Sequence, residues 1–163
     1  MASPPPWRKG RIGVIRKFLL VGVAAACIAG MAHAADAPTG LNVIAARQAG
    51  QDLVGGTFTG LLQAAKQKVP DVKPYASAAH ALTKWEPQFM TMFPPGSDHG
   101  EHTRALPAIW TDRAGFEKAA QNLETQAAKL EQIAASGDQA AFATQVQVLG
   151  EACGTCHKQF RAK

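Results

Sequence analysis

Two runs of apolar residues near the C-terminus constrain this chain more than any other feature. Phe116, Ala120, Leu123, Ala127, Leu130 and Ala134 are spaced 4, 3, 4, 3, 4, and Phe142, Val146, Leu149, Cys153, Cys156 and Phe160 repeat that spacing. The alternation puts each set on one stripe of an α-helix, the seam by which nearly antiparallel helices pack in a left-handed bundle. Ser136-Gly137-Asp138 separates the two runs. Gly137 can end one helix in a left-handed conformation and Asp138 can cap the next. So short a link makes the two helices antiparallel neighbours.

The first half carries weaker versions of the same pattern. Leu41, Ala45, Val54, Phe58 and Leu62 predict a helix over about 42–67. Gly50, Gly55, Gly56 and Gly60 weaken it by up to ~1 kcal/mol each and permit close approach by another backbone or a flat ligand. Val72, Tyr75, Ala79, Leu82, Phe89 and Phe93 predict a second helix between Asp71 and Phe93, which Pro87 is expected to kink or end near Trp85. Pro94-Pro95-Gly96-Ser97 opens a loop expected to run to about Ile109. There is no Asn-Gly or Asp-Gly hairpin signal and no internal repeat. The expected fold is all-α, a left-handed antiparallel four-helix bundle with one long connection between its second and third helices.

The N-terminus reads differently. Arg8, Lys9, Arg11, Arg16 and Lys17 precede an apolar run from Phe18 to Ile28, and Ala32-His33-Ala34 follows. Charged, apolar and small segments in that order form a secretory signal peptide, here residues 1–34, with cleavage after Ala34 or one residue later. An uncleaved anchor would need roughly 20 apolar residues, which this stretch reaches only by including Gly30 and His33. Removing the leader takes away five of the 17 basic residues and none of the 12 acidic ones, so the formal charge of +5 belongs to the leader. Nothing in the remaining balance points to nucleic acid. About 129 residues remain, 35–163, enough for one domain with a single core. Export to the periplasm is expected, and Cys153 and Cys156 are then the only thiols left.

Cys153-Gly154-Thr155-Cys156-His157 is the motif that carries chemistry. On a helix, residues three and four apart share a face, so both thiols and the imidazole project together. This is the attachment signature of a c-type haem. Each thiol adds to one vinyl group on the same porphyrin edge, and the neighbouring imidazole is carried beneath the ring toward iron. A structural zinc site needs four ligands, and His80, His99 and His102 have no paired spacing to complete one. A thioredoxin-like pair belongs beside a βαβ pattern, which is absent from this sequence. A plain disulfide would leave His157 idle. One haem c per chain, bound through both cysteines, is the expected cofactor.

With these residues the sequence resembles the cytochrome c′ family, the class II c-type cytochromes, close to its cytochrome c′/c556 group. The attachment motif of that family lies at the C-terminal end. Beyond "CGTCHKQFR" from Cys153 to Arg161, "ARQAG" at Ala46–Gly50, "FPPGSD" at Phe93–Asp98 and "TRALPAIWTD" at Thr103–Asp112 are similar to segments of the family. The resemblance implies that Cys153 and Cys156 form the thioethers and that His157 is the proximal iron ligand. It implies that Arg47 and Gln48 lie by the haem propionates, where a guanidinium can pair bidentately with a carboxylate, and that Thr103 touches the haem edge. Arg161, one turn beyond His157, can orient the proximal side or offset the helix dipole. Trp110 is expected to be a packed core residue.

Members of the family differ at the sixth iron position. An apolar residue covers it in cytochrome c′, and a first-helix methionine binds iron in the low-spin c556 type. The corresponding position here is Gln51, which matches neither. Between Asp36 and Gln67 there is no methionine and no histidine; beyond the leader only Met90 and Met92 occur. The iron is therefore expected to be five-coordinate, with Gln51 over its distal face, or Val54 if the register shifts. Three functions remain open: electron transfer with redox partner proteins of the periplasm, binding of small diatomic gases such as nitric oxide or carbon monoxide, and a low-spin c556-type carrier using Met90 or a histidine. An enzyme is not expected, because His99, Glu101 and His102 read as a solvated surface. The family also forms homodimers through its first two helices.

Overall fold

The computed structural model describes residues 40–100 and 102–163. The expected signal peptide at residues 1–34 lies outside the described residues. Five α-helices follow in order: α1 (Gly40–Gln67), α2 (Ala76–Met90), α3 (Ala108–Thr111), α4 (Arg113–Ser136) and α5 (Gln139–Phe160). The four long ones form the expected bundle. No strand is present among the described residues, and none of their helices is long and apolar enough to cross a membrane.

Local chemistry sets most of the helix ends. Asp112 accepts a hydrogen bond from the backbone N–H of Gly115 at 3.1 Å and starts α4. Gly137, at φ 84°, ends it, and Asp138 starts α5 by accepting from Ala141 N–H at 2.9 Å. These are the caps that Ser136-Gly137-Asp138 predicts. α2 departs from expectation at both ends. It begins at Ala76, after a 3₁₀ turn at Lys73–Tyr75 closed by Tyr75 N–H donating to Val72 C=O at 3.0 Å. It also runs past Pro87 to Met90. Pro87 falls in the final turn, so its missing N–H withdraws only one intrahelical bond before the helix ends in any case. The loop expected to run to about Ile109 gives way to α3 at Ala108.

α4 packs along both α2 and α5, and α1 closes the bundle against α5 and α2. All six residues of the α4 seam are buried. On α5, Phe142, Val146, Leu149 and Phe160 are buried, whereas Cys153 and Cys156 are only half-buried. The seam is thus complete at its ends and open at the two cysteines.

The opening separates two apolar clusters. The larger includes Leu61, Val72, Leu82, Ala127, Leu130, Phe142, Val146 and Leu149. The smaller consists of Phe93, Ile109, Phe116 and Phe160, with Phe116 edge-on to Phe93 at 5.0 Å and to Phe160 at 5.1 Å. Leu106 N–H donates to Phe160 C=O at 3.0 Å and Ala162 N–H to Arg104 C=O at 2.8 Å, tying the connection to the end of α5. Leu130 has no exposed surface whereas Leu53 is 74% exposed. Leu130→Ala is therefore expected to cost about 2–5 kcal/mol in denaturant unfolding, and Leu53→Ala less than about 0.5 kcal/mol.

Candidate functional site

Between the two clusters lies a cavity of about 620 Å³, within the range of about 300–1,000 Å³ that suits small molecules and cofactors. Each cysteine belongs to one side of it. Cys153 packs against the larger cluster and Cys156 against the smaller. His157, Phe160 and Arg161 continue the wall along α5, and Leu123 and Phe116 come from α4. The facing wall is α1, with Arg47, Gln48, Gln51, Val54, Gly55 and Phe58. Phe58 reaches α5 where Gly150 leaves room; a Cβ there would sit 2.9 Å from Phe58 Cζ.

The residues that sequence reasoning singled out converge on this cavity. Cys153, Cys156, His157, Arg47, Gln48, Gln51 and Thr103 all line it. Arg47 is buried, and its guanidinium donates from Nη1 to Ser97 Oγ at 3.0 Å and to Met92 C=O at 3.3 Å. From Nη2 it donates to Ser97 C=O and to Thr103 Oγ1, both at 2.7 Å. It also lies over Phe93, 4.7 Å from the ring centre. Gln48 Nε2 donates to His102 C=O at 3.0 Å. Arg47 and Gln48 thus hold the α2–α3 connection against α1, at the rim of the cavity. Trp110 serves the same connection by donating from Nε1 to Pro94 C=O at 3.1 Å. His99 and His102 are exposed, as expected.

Burial governs the electrostatics. The Cys153 and Cys156 thiols are pushed up to about 11, first by desolvation and then by the nearby Glu86. His157 is held below the usual imidazole range by burial and then by the positive charges of Arg161 and Arg104, so its neutral, ligating form is favoured. Burial also lowers Arg47, against the opposing influence of Asp98. The donor set fits a covalently held haem: two thiols one helical turn apart, an adjoining neutral imidazole, and apolar walls on either side. Trp85 does not line the cavity; its buried indole N–H has no acceptor among the described residues.

Two features on α2, the packing of Trp85 and the burial of Glu86, escaped the sequence reading. Trp85 packs on Gly50 so closely that a Cβ there would overlap its Cζ2. Gly50 therefore serves close packing within the chain, whereas nothing lies within 4 Å of the missing Cβ of Gly55, Gly56 or Gly60. Glu86 is 5% exposed and lines the cavity. Its signal was present, because Ala79, Leu82, Glu86, Phe89 and Phe93 continue the 3–4 seam spacing through a carboxylate. Burial, then repulsion from Glu124, raises Glu86 from 4.5 to about 7. A raised carboxyl stabilises the fold only while protonated. That contribution is complete below about pH 4.5 and is lost as pH rises through about 7. Glu86→Gln is expected to flatten the fall in melting temperature across that window, as measured by thermal unfolding at a series of pH values.

A family model described as Cytochrome C′ matches residues 42–161. Cytochrome c′ of Rubrivivax gelatinosus is 34% identical over 118 residues, covering 72% of this chain and 92% of that protein. A cytochrome c-556 of Agrobacterium tumefaciens is 33% identical over 111 residues, covering 68% of this chain and 88% of that one. Among solved structures, the nitric oxide complex of a single-site mutant of cytochrome c prime from Alcaligenes xylosoxidans superposes with a TM-score of 0.69. It is 25% identical, with 76% of this chain and 96% of that chain covered. The fold, the cavity between two half-cores and the C-terminal cysteine pair agree with these matches: the chain belongs to the cytochrome c′ family, whose cofactor is a covalently attached haem c.

Proposed function

We propose that this chain is a periplasmic electron carrier whose haem iron is five-coordinate. In this reading Cys153 and Cys156 hold haem c by two thioether bonds and His157 supplies the axial nitrogen. Arg47, Gln48 and Thr103 meet its rim, and residues 1–34 direct export. Haem c supplies an iron that alternates between ferric and ferrous states. The protein's part is to hold the imidazole neutral, to keep the ring among apolar walls, and to leave one face without a strong ligand.

One observation carries the proposal. Among the described residues lining the cavity, His157 is the only imidazole and there is no methionine. Met90 packs against the smaller aromatic cluster. The c556-type reading needs a second strong ligand, and neither Met90 nor Met92 lines the cavity. Axial ligand and distal polarity are the features that separate electron transfer from ligand binding in haem proteins. The test is an absorption spectrum of the matured protein followed by voltammetry. The expected result is a high-spin spectrum, altered by carbon monoxide after reduction, together with one reversible one-electron wave. A sharp low-spin α band without added ligand would overturn the open site, and lack of a reversible wave would overturn electron transfer.

A second reading, binding of a small gas on the α1 side, is favoured by Gln51 lining the cavity and by the nitric oxide complex of the Alcaligenes relative. The Gln51 amide can donate to a bound diatomic where an apolar side chain cannot. A net hydrogen bond is worth about 1 kcal/mol. Gln51→Leu is thus expected to weaken nitric oxide binding about fivefold, with unchanged affinity counting against a distal role.

A further inference from the structure

Glu86 is a buried ionisable group in this cavity that the proposed function does not use. It sits on α2 between Leu82 and Phe89 in the seam, 5% exposed. A carboxylate taken from water into such a position carries a desolvation cost that only a partner can offset. Its carboxyl borders the cavity, and among the described residues no ion pair reaches it. The groups around it are known. α4 presents Glu124, whose charge opposes ionisation, and α5 presents the sulfurs of Cys153 and Cys156, with His157 and Arg161 beyond them on the same cavity. From α1 come Arg47 and Asp52, and from the connection Arg104. Arg47 is committed to Ser97, Met92 and Thr103, and Arg104 donates to Ala162 C=O.

A carboxyl so placed responds to any change of charge inside the cavity. The thioether positions fix where that change occurs, because Glu86 faces both cysteines. Ferric haem carries one more positive charge than ferrous haem, and Coulomb coupling across a partly dehydrated interior is strong. We propose that Glu86 binds one proton when the iron at this site gains one electron and releases it on oxidation, so that the protein's affinity for electrons depends on pH. This inference rests on the haem reading above. The electron comes from a one-electron reductant and the proton from solvent. One carboxyl O–H bond forms on reduction and breaks on oxidation, leaving the net charge of the cavity unchanged. Burial and Glu124 already bring Glu86 to about 7, so the exchange falls where cellular pH can act on it.

Spectroelectrochemical titration of the matured, haem-loaded protein and of Glu86→Gln between about pH 5 and 9 tests this. The wild-type midpoint potential is expected to fall with rising pH through neutrality. The slope should approach a tenfold change in the reduction equilibrium per pH unit, which is about 59 mV for a one-electron couple. In Glu86→Gln that segment is expected to vanish while the coordination spectrum is retained. Redox-difference infrared spectroscopy of the wild type, which needs no variant, should show a protonated-carboxyl band on reduction that shifts in heavy water. A pH-independent wild-type potential, superimposable wild-type and Glu86→Gln profiles, or absence of the band each overturns the proposal. Mass spectrometry separates the two levels: a chain without haem overturns the haem reading and this inference together, and a loaded chain with a flat potential overturns the inference alone.

Discussion

The break in the α4–α5 seam organises everything else in this molecule. Phe142, Val146 and Leu149 interlock with Leu123, Ala127 and Leu130, and Phe160 finds Phe116 at the far end. Between them the stripe is occupied by two small thiol-bearing side chains that fill little of the space. Protein interiors tolerate few voids, so a gap of this size in a small bundle makes sense as room for a large apolar guest. The guest that the adjoining cysteines and imidazole select is the one whose ring can replace the missing seam contacts. Cofactor and core are then the same thing, since the two apolar clusters meet only through what fills the gap.

Arg47 solves a related problem at the rim. The connection from Met90 to Ala108 is rich in Pro and Gly, and its main buried apolar anchor is Phe93. A single buried guanidinium satisfies three residues of it and stacks on Phe93. Its planar fork suits several acceptors at once, which an ammonium could not match. The same side chain lines the cavity, so the loop's position and the rim's shape are set together.

The sequence made much of this visible because helix seams and caps are local. The α4 stripe, the Gly137 stop and the Asp138 cap need only a few neighbouring residues, and each stands where its spacing puts it. The Cys153–His157 motif was legible for the same reason. What was hidden depended on distant partners. Pro87 looked like a helix end near Trp85, yet the helix continues to Met90 because a proline in a last turn removes only one bond. Arg47 pointed to a carboxylate partner, and its use of Ser97 and Thr103 could not be read until the connection was folded back over α1. Glu86 was overlooked because a charged residue in a seam is taken for a surface residue unless its neighbours at 79, 82, 89 and 93 are counted with it.

The backbone pairing of Arg104 with Ala162 has a consequence for assembly. These residues are 58 apart in sequence, and closing a long loop costs entropy before any contact repays it. Until that loop closes the mouth of the bundle has no latch, so Arg104 before α3 and Ala162 after α5 come together only once the helices between them have docked.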